Sequence, residues 1–373
     1  MEFFATAAKG TEGVLRDELR ELGFESVRAD RGGVHFQGAW SEGFRACLWS
    51  RIAVRVLAPI ARFDCEDEDA LYAGVREHDF SGVLSTDRTL VVSAATRGSR
   101  LTHTQYIAQR TKDAIVDRLR ERFGARPDVD RDDPDVHVFV HLASDRATLY
   151  LDLAGEPLHR RGYRKEAGLA PVKENLAAAV LRMAGFDGNG AFVDPMCGSG
   201  TFVVEAALWA ENRAPGLLRK RFGFERWRSH DDSNRRVMAE LRDAARASVR
   251  AGAAKVRGSD VAAPALEAAR ENARAAGVTV DLAQAPLREA KPDGVSGVLV
   301  TNPPYGERLA LSPELPRELA RLIDRYYRWN SGLLMKSDEP LGRTRRKPRL
   351  FTVYNGDLEC AVRCYLPVPP NPE

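Results

Sequence analysis

Two short stretches of the chain combine residue types that could do chemistry. The first is Asp194-Pro195-Met196-Cys197-Gly198-Ser199-Gly200-Thr201. It follows Ala191-Phe192-Val193, which reads as a strand, and leads into Phe202 to Trp209, which reads as a helix. Ligands of doubly wound sheets bind at such turns. Gly198 and Gly200 allow close approach to the backbone, and the free N–H groups of the helix N-terminus favour an anionic part of a ligand. Asp194 can accept from an ammonium group. Asp260, which closes the next predicted strand Arg257-Gly258-Ser259-Asp260, can accept from a pair of ribose hydroxyls, although taken alone it would equally serve as a turn or helix N-cap residue. Val203 stands where a dinucleotide fingerprint needs its third glycine, and no Gly-Lys-Ser/Thr marks a P-loop. The gap from Gly200 to Asp260 is about three times the roughly 20 residues of a dinucleotide fold, which argues against a nicotinamide oxidoreductase.

The second stretch is Thr301-Asn302-Pro303-Pro304-Tyr305-Gly306, directly after the apolar strand Val298-Leu299-Val300. Two prolines stiffen the backbone, so that the Asn302 amide oxygen and the Pro303 carbonyl can converge on one NH₂ group. Tyr305 can stack on a base. An exocyclic amine is a poor nucleophile because its lone pair is delocalised into the ring. Two acceptors on its hydrogens favour the pyramidal form, whose lone pair can attack a sulfonium methyl group in line, with no strong base needed first. A Pro-rich turn is the bland alternative. The strand order that brings this turn to the same sheet edge as Asp194 weighs against it.

These turns need a sheet to hold them. From a helix at about Val172 to Met183 onward, strands alternate with helices, the pattern of a parallel, doubly wound sheet. The first half has a different grammar. Phe3-Phe4-Ala5-Thr6, Gly33-Val34-His35-Phe36 and Leu90-Val91-Val92-Ser93 read as short strands, with helices carrying Leu15 and Leu19, then Phe44 and Leu48, then Ile107, Ile115 and Leu119. Val136, Val138, Val140 and Leu142 alternate with polar residues, as do Ala147, Leu149, Leu151 and Leu153 across the turn at Ser144-Asp145-Arg146. Small α+β modules are expected there. A segment rich in charge, glycine and proline, from Gly155 to Pro171, separates the halves. No internal repeat is visible.

A length of 373 residues suits two compact domains, or three if one is small. The net charge of +3 identifies no partner, but three clusters do suggest nucleic acid: Arg160, Arg161, Arg164 and Lys165; Arg219, Lys220 and Arg221; and Arg343, Arg345, Arg346, Lys347 and Arg349. Five scattered cysteines without CxxC pairs favour neither a disulfide framework nor a zinc site, and no metal is expected. With no apolar run long enough to span a bilayer and no signal-peptide pattern at Met1-Glu2-Phe3-Phe4-Ala5-Thr6, the expectation is a cytoplasmic protein without a membrane partner.

The two motifs together resemble those of class I methyltransferases that act on amino nitrogens. Over nearly its full length the chain resembles the bacterial THUMP-domain guanine-N2 methyltransferases of large-subunit ribosomal RNA (RlmL-like). The likeness also rests on Gly32-Gly33-Val34-His35-Phe36, Trp49-Ser50-Arg51, Lys112 to Asp117, Leu158 to Arg164, Pro171-Val172-Lys173-Glu174, Arg213 to Leu217 and Asn302 to Leu309. It implies a ferredoxin-like domain over 1–60, a THUMP RNA-binding domain over 61–155, a linker over 156–170 and an α/β, class I (Rossmann-like) methyltransferase domain over 171–373. S-adenosylmethionine would be held by Asp194, Pro195, Cys197, Gly198, Gly200, Thr201, Asp260 and Gln284, and the target base by Asn302, Pro303, Pro304 and Tyr305. Arg160, Arg161, Arg164 and Lys165 would touch RNA, with 23S rRNA or a large-subunit precursor as partner. Two departures stand out. Gln284 occupies the place where an Asp usually accepts from the adenine amino group, and the second methyltransferase half of some relatives does not follow, so that one reaction is expected. A tRNA guanine-N2 methyltransferase is the alternative within the class. A non-catalytic RNA-binding assembly factor is the alternative outside it, disfavoured by the intact Asp194, Gly198, Gly200 and Asn302.

Overall fold

A computed structural model describes residues 1–164, 172–250, 254–304 and 313–368. The first half is built from β1 (Glu2–Thr6), α1 (Glu12–Glu21), β2 (Glu25–Asp30), β3 (Gly33–Gln37), α2 (Trp40–Trp49), β4 (Arg55–Asp64), α3 (Glu68–Glu77), β5 (Thr89–Arg97), α4 (Thr104–Phe123), β6 (Asp128–Val129), β7 (Val136–Ala143) and β8 (Arg146–Asp152). The alternation along β7 is realised: Val136, Val138, Val140 and Leu142 are all buried, and the residues between them are less so. One feature was not foreseen. All eight strands form a single sheet in the order β2-β3-β1-β4-β8-β7-β5-β6. Strand β4 joins its two parts, since residues 55–57 pair with β1 while residues 57–64 pair with β8. The boundary expected between 60 and 61 therefore falls inside a continuous strand.

The second half contains α5 (Glu174–Met183), β9 (Ala191–Asp194), α6 (Thr201–Ala210), α7 (Asp232–Ala247), β10 (Val256–Asp260), α8 (Ala263–Ala276), β11 (Asp281–Gln284), β12 (Gly297–Thr301), α9 (Leu315–Arg325), β13 (Asn330–Lys336), β14 (Arg349–Asn355) and β15 (Leu358–Tyr365). Its sheet runs β11-β10-β9-β12-β13-β15-β14. The first five of these strands are parallel to their neighbours, and β15 is antiparallel to both β13 and β14. The strand order reverses between β9 and β12, the switch point at which such sheets bind ligands. Among the described residues no helix is long and apolar enough to cross a membrane.

The segment between the halves is not a loose tether where it is described. Leu158, Arg161 and Tyr163 are each about 1% exposed. The halves also share a core. Residues 211–250, inserted between α6 and β10, reach back to the first half. Phe224 stacks on Phe44 at 4.0 Å, and Trp227 meets Trp40 edge to face at 5.9 Å. Ala178 and Ala179 of α5 belong to the same buried cluster.

Candidate active site

Strands β9, β10, β11 and β12 are adjacent and parallel, so their carboxyl ends form one edge. In spatial order that edge carries Gln284, Asp260, Asp194 and Asn302. Register explains the alignment, for Gly258 lies beside Asp194 and Asp260 beside Gln284. Sequence distance is thus converted into proximity by parallel pairing.

Asp194 is 1% exposed, and its Oδ1 accepts from the Met196 amide at 3.1 Å. Burial pushes its carboxyl up to about 7, nearby Asp260 pushes in the same direction, and the Thr301 hydroxyl and the Met196 amide oppose the shift. An ionised Asp194 therefore needs a cation beside it near neutral pH. Asp260 organises the turn: its Oδ2 accepts from the Gly198 amide at 2.9 Å and its Oδ1 from the Ala262 amide at 2.9 Å. The turn reading of Asp260 is thus correct as far as the protein alone goes. Each carboxylate oxygen keeps a further lone pair for a hydroxyl donor.

The two glycines differ. A Cβ on Gly198 (φ +53°) would meet nothing within 4 Å, whereas one on Gly200 (φ +82°) would lie 2.9 Å from the Ala269 Cβ of α8. Open space for a ligand therefore lies beside Gly198, and Gly200 serves the packing of α6 against α8 while providing the left-handed residue that opens α6. Pro195 and Cys197 are buried. Burial pushes the Cys197 thiol up, so this side chain belongs to the core, and only its backbone is suited to meet a ligand. Gln284 donates its amide to the Val261 carbonyl at 3.0 Å, which commits its nitrogen and leaves its oxygen as the acceptor.

On the other side of the switch point, Asn302 follows the last residue of β12. Its Oδ1 is buried and has no hydrogen-bond partner. Pro303 is buried and Pro304 half-buried. Tyr305 and Lys165 lie outside the described residues.

The arginines expected to touch RNA separate. Arg160 is exposed and pairs with Glu156 at 3.0 Å. Arg161 is interior: it donates to the Leu158 carbonyl at 2.7 Å and to the Arg51 carbonyl, and lies 3.5 Å from the fully buried Glu205. Its expected contact with RNA is corrected on that ground, because no phosphate can reach a side chain 1% exposed. Arg164 donates to the Val172 carbonyl at 3.0 Å and to Thr201 Oγ1 at 2.8 Å, with Glu174 at 3.5 Å, so it anchors the linker to the first residue of α6. The Thr201 hydroxyl is accordingly engaged within the protein.

Residues 161–335 match the model of the RMKL-like methyltransferase domain, residues 2–57 the RlmL ferredoxin-like domain and residues 65–152 the THUMP domain. The crystal structure of SMU.472 complexed with SAH superposes with a TM-score of 0.86 at 31% identity, covering 99% of each chain. The chain belongs to the RMKL-like methyltransferase family. Within this family it is 45% identical to the ribosomal RNA large subunit methyltransferase K/L of Syntrophotalea carbinolica and 42% identical to that of Methylococcus capsulatus. Each alignment covers 97% of this chain but 53% and 50% of the relative, so the chain spans about half the length of these curated relatives. TrmN from Thermus thermophilus, at 21% identity and a TM-score of 0.72, shares the fold.

Sequence reasoning missed two supports of this family's turn. Thr301, fully buried, sits beside Asp194. Asn272 of α8, 3% exposed, donates to the Ser199 carbonyl at 2.9 Å and so holds the glycine turn from outside. A signal for Asn272 existed: it falls among Leu266, Ala269, Ala273 and Ala276, the buried stripe of α8, where a polar residue needs a partner.

Proposed function

We propose that this chain transfers a methyl group from S-adenosylmethionine to the exocyclic N2 of a guanine in RNA, with 23S rRNA as the substrate. The observation that carries the reading is the buried, unpartnered Asn302 Oδ1 at the switch point. An acceptor left without a donor in a buried position costs about 1–3 kcal/mol, which an amino group of a bound base would offset.

The residues present fit the cofactor. Asp194 is a buried carboxylate in want of a cation, as an amino acid's ammonium would supply. The missing Cβ of Gly198 leaves room beside the turn, and the first amides of α6 lack intrahelical acceptors. Asp260 retains acceptor capacity for ribose hydroxyls, and the Gln284 oxygen can take an adenine amino group. When bound, S-adenosylmethionine supplies an electrophilic methyl group on a sulfonium. Asn302 Oδ1 and the Pro303 carbonyl accept the two hydrogens of the guanine amine and favour its pyramidal form, an interaction that strengthens as positive charge develops on nitrogen. The surplus proton leaves from a nitrogen whose hydrogens these acceptors already hold.

The RNA substrate is supported by the THUMP match and by the names of the longer relatives. This reading entails action in the cytoplasm. Mass spectrometry of nucleosides from rRNA and tRNA of cells lacking the gene is the direct test. Loss of N2-methylguanosine from 23S rRNA, restored by the wild-type chain and not by Asn302→Ala, is expected. Loss from tRNA would move the substrate to tRNA. Full restoration by Asn302→Ala would make the protein an assembly factor and end the catalytic reading.

A further inference from the structure

A second cavity, of about 380 Å³, lies where the first sheet, the linker and the β14–β15 hairpin meet. That volume is within the range of roughly 300–1,000 Å³ typical of small-molecule sites. Its lining includes Lys9, His159, Lys173, Asn175, Leu176 and Tyr354, none of which belongs to the candidate active site.

Positive charge converges on this cavity from three sources. Lys9 Nζ is held 3.9 Å above the Tyr354 ring. Lys173 is the N-cap of α5 and is exposed. The first-turn amides of this ten-residue helix have no intrahelical acceptors, and no side chain caps them. A second and independent observation points to a ligand. Asn175 is 1% exposed, yet its Oδ1 has no partner, and the orientation of its amide is set by donation from Nδ2 to the Ile52 carbonyl at 3.2 Å. His159 Nδ1, also in the lining, is likewise buried without a partner. Burial first, then Lys173 and the arginines nearby, push the His159 imidazole down to about 4, so it is neutral at pH 7.

Cations and free amides call for an anion, whereas the Asn175 oxygen and the Asp357 carboxylate, also in the lining, call for hydrogen-bond donors on the same ligand. Bare phosphate meets only the first demand. We propose that this pocket binds a nucleotide, with its phosphate against Lys9, Lys173 and the start of α5 and with a hydroxyl or amino group donating to Asn175 Oδ1. The Tyr354 ring offers an apolar wall for the sugar or base. The nucleotide can be free or one unit of an RNA strand, and the chemistry of recognition is common to both.

The test is calorimetry on the full chain with the four 5′-ribonucleoside monophosphates, inorganic phosphate and a five-nucleotide RNA. Binding of a mononucleotide identifies a free ligand, and binding of the RNA alone identifies a strand unit. Either should exceed binding of inorganic phosphate. Lys9→Glu with Lys173→Glu, both at exposed positions, should weaken binding by on the order of tenfold while leaving the circular dichroism spectrum unchanged. NMR titration of His159 gives a readout without mutation, since an anion alongside favours the protonated imidazole and should raise its titration point. No binding of any ligand, affinity indifferent to the double charge reversal, or a His159 titration unmoved by the bound ligand would overturn the proposal. Because no methyl transfer is measured, these results stand apart from the fate of the methyltransferase reading.

Discussion

The carboxyl edge of the catalytic sheet and the arginine-rich segments use polar groups in opposite ways. At the edge, Asp194 is buried without a cation and Asn302 Oδ1 is buried without a donor. In the arginine-rich segments the capacity is already used. Arg219 donates to the carbonyls of Ala154, Glu156, Pro157 and Arg160, and Arg346 to those of Ile323, Trp329 and Leu366. Arg161 and Arg164 do likewise. A charge whose donors end on its own backbone is architecture, and an acceptor buried without a donor is the mark of a ligand site. Residue type alone does not tell the two apart.

Arg161→Ala is the sharpest way to break this comparison. It leaves Glu205 buried and unpaired beside two carbonyls without their donor, and should destabilise the protein by about 3–5 kcal/mol in urea denaturation. Arg160→Ala, a change at an exposed residue 3.0 Å from Glu156, should cost about 0–1 kcal/mol. Equal effects would mean that Arg161 is not the strut described here.

At the catalytic edge the loss should appear in rate. Asn302→Ala is expected to lower single-turnover methyl transfer by on the order of 10² to 10³ with cofactor affinity and unfolding midpoint nearly unchanged. Asn302→Asp, which keeps an acceptor, should retain more activity than the Ala variant. A wild-type rate for Asn302→Ala would leave the unpartnered oxygen without a catalytic role.

Asp194 sharpens the comparison through pH. Its folded carboxyl is raised from the ordinary 3.8 to about 7, so the folded state holds the proton more tightly than the unfolded chain. The stability it contributes is complete below about 4 and is lost as pH rises through about 7. Binding of an ammonium-bearing cofactor runs the other way. It requires the ionised carboxylate, and its affinity should fall by roughly tenfold per unit as pH drops well below 7. Calorimetry between pH 5 and 8 reads this slope, and Asp194→Asn should flatten it. A slope that survives in the Asn variant would assign the titration elsewhere.

The smallest effect is expected at Gln284. It is exposed and its nitrogen is already committed to Val261. Gln284→Ala should therefore weaken the cofactor by a few-fold, about the 0.5–1.5 kcal/mol of one neutral hydrogen bond, with no change in the single-turnover rate at saturation. A loss as large as that of Asp194→Asn would make the adenine contact dominant.

Local sequence was enough to place the chemistry. Strand β9 ends at Asp194, β10 at Asp260, β11 at Gln284 and β12 one residue before Asn302, as short-range apolar patterns and glycine or proline punctuation imply. Parallel alternation then puts all four on one edge. Tertiary structure decided the rest. That β4 bridges two modules in one sheet depends on which partners its two ends find, at residues 2–6 and 146–152, and no local pattern in 55–64 encodes either choice. The docking of residues 211–250 on α2 rests on Phe44, Phe224, Trp40 and Trp227 meeting across the chain. The burial of Arg161, Arg219 and Arg346 was hidden for the same reason: a carbonyl acceptor is present at every residue, so sequence does not show which arginine will find several of them converging.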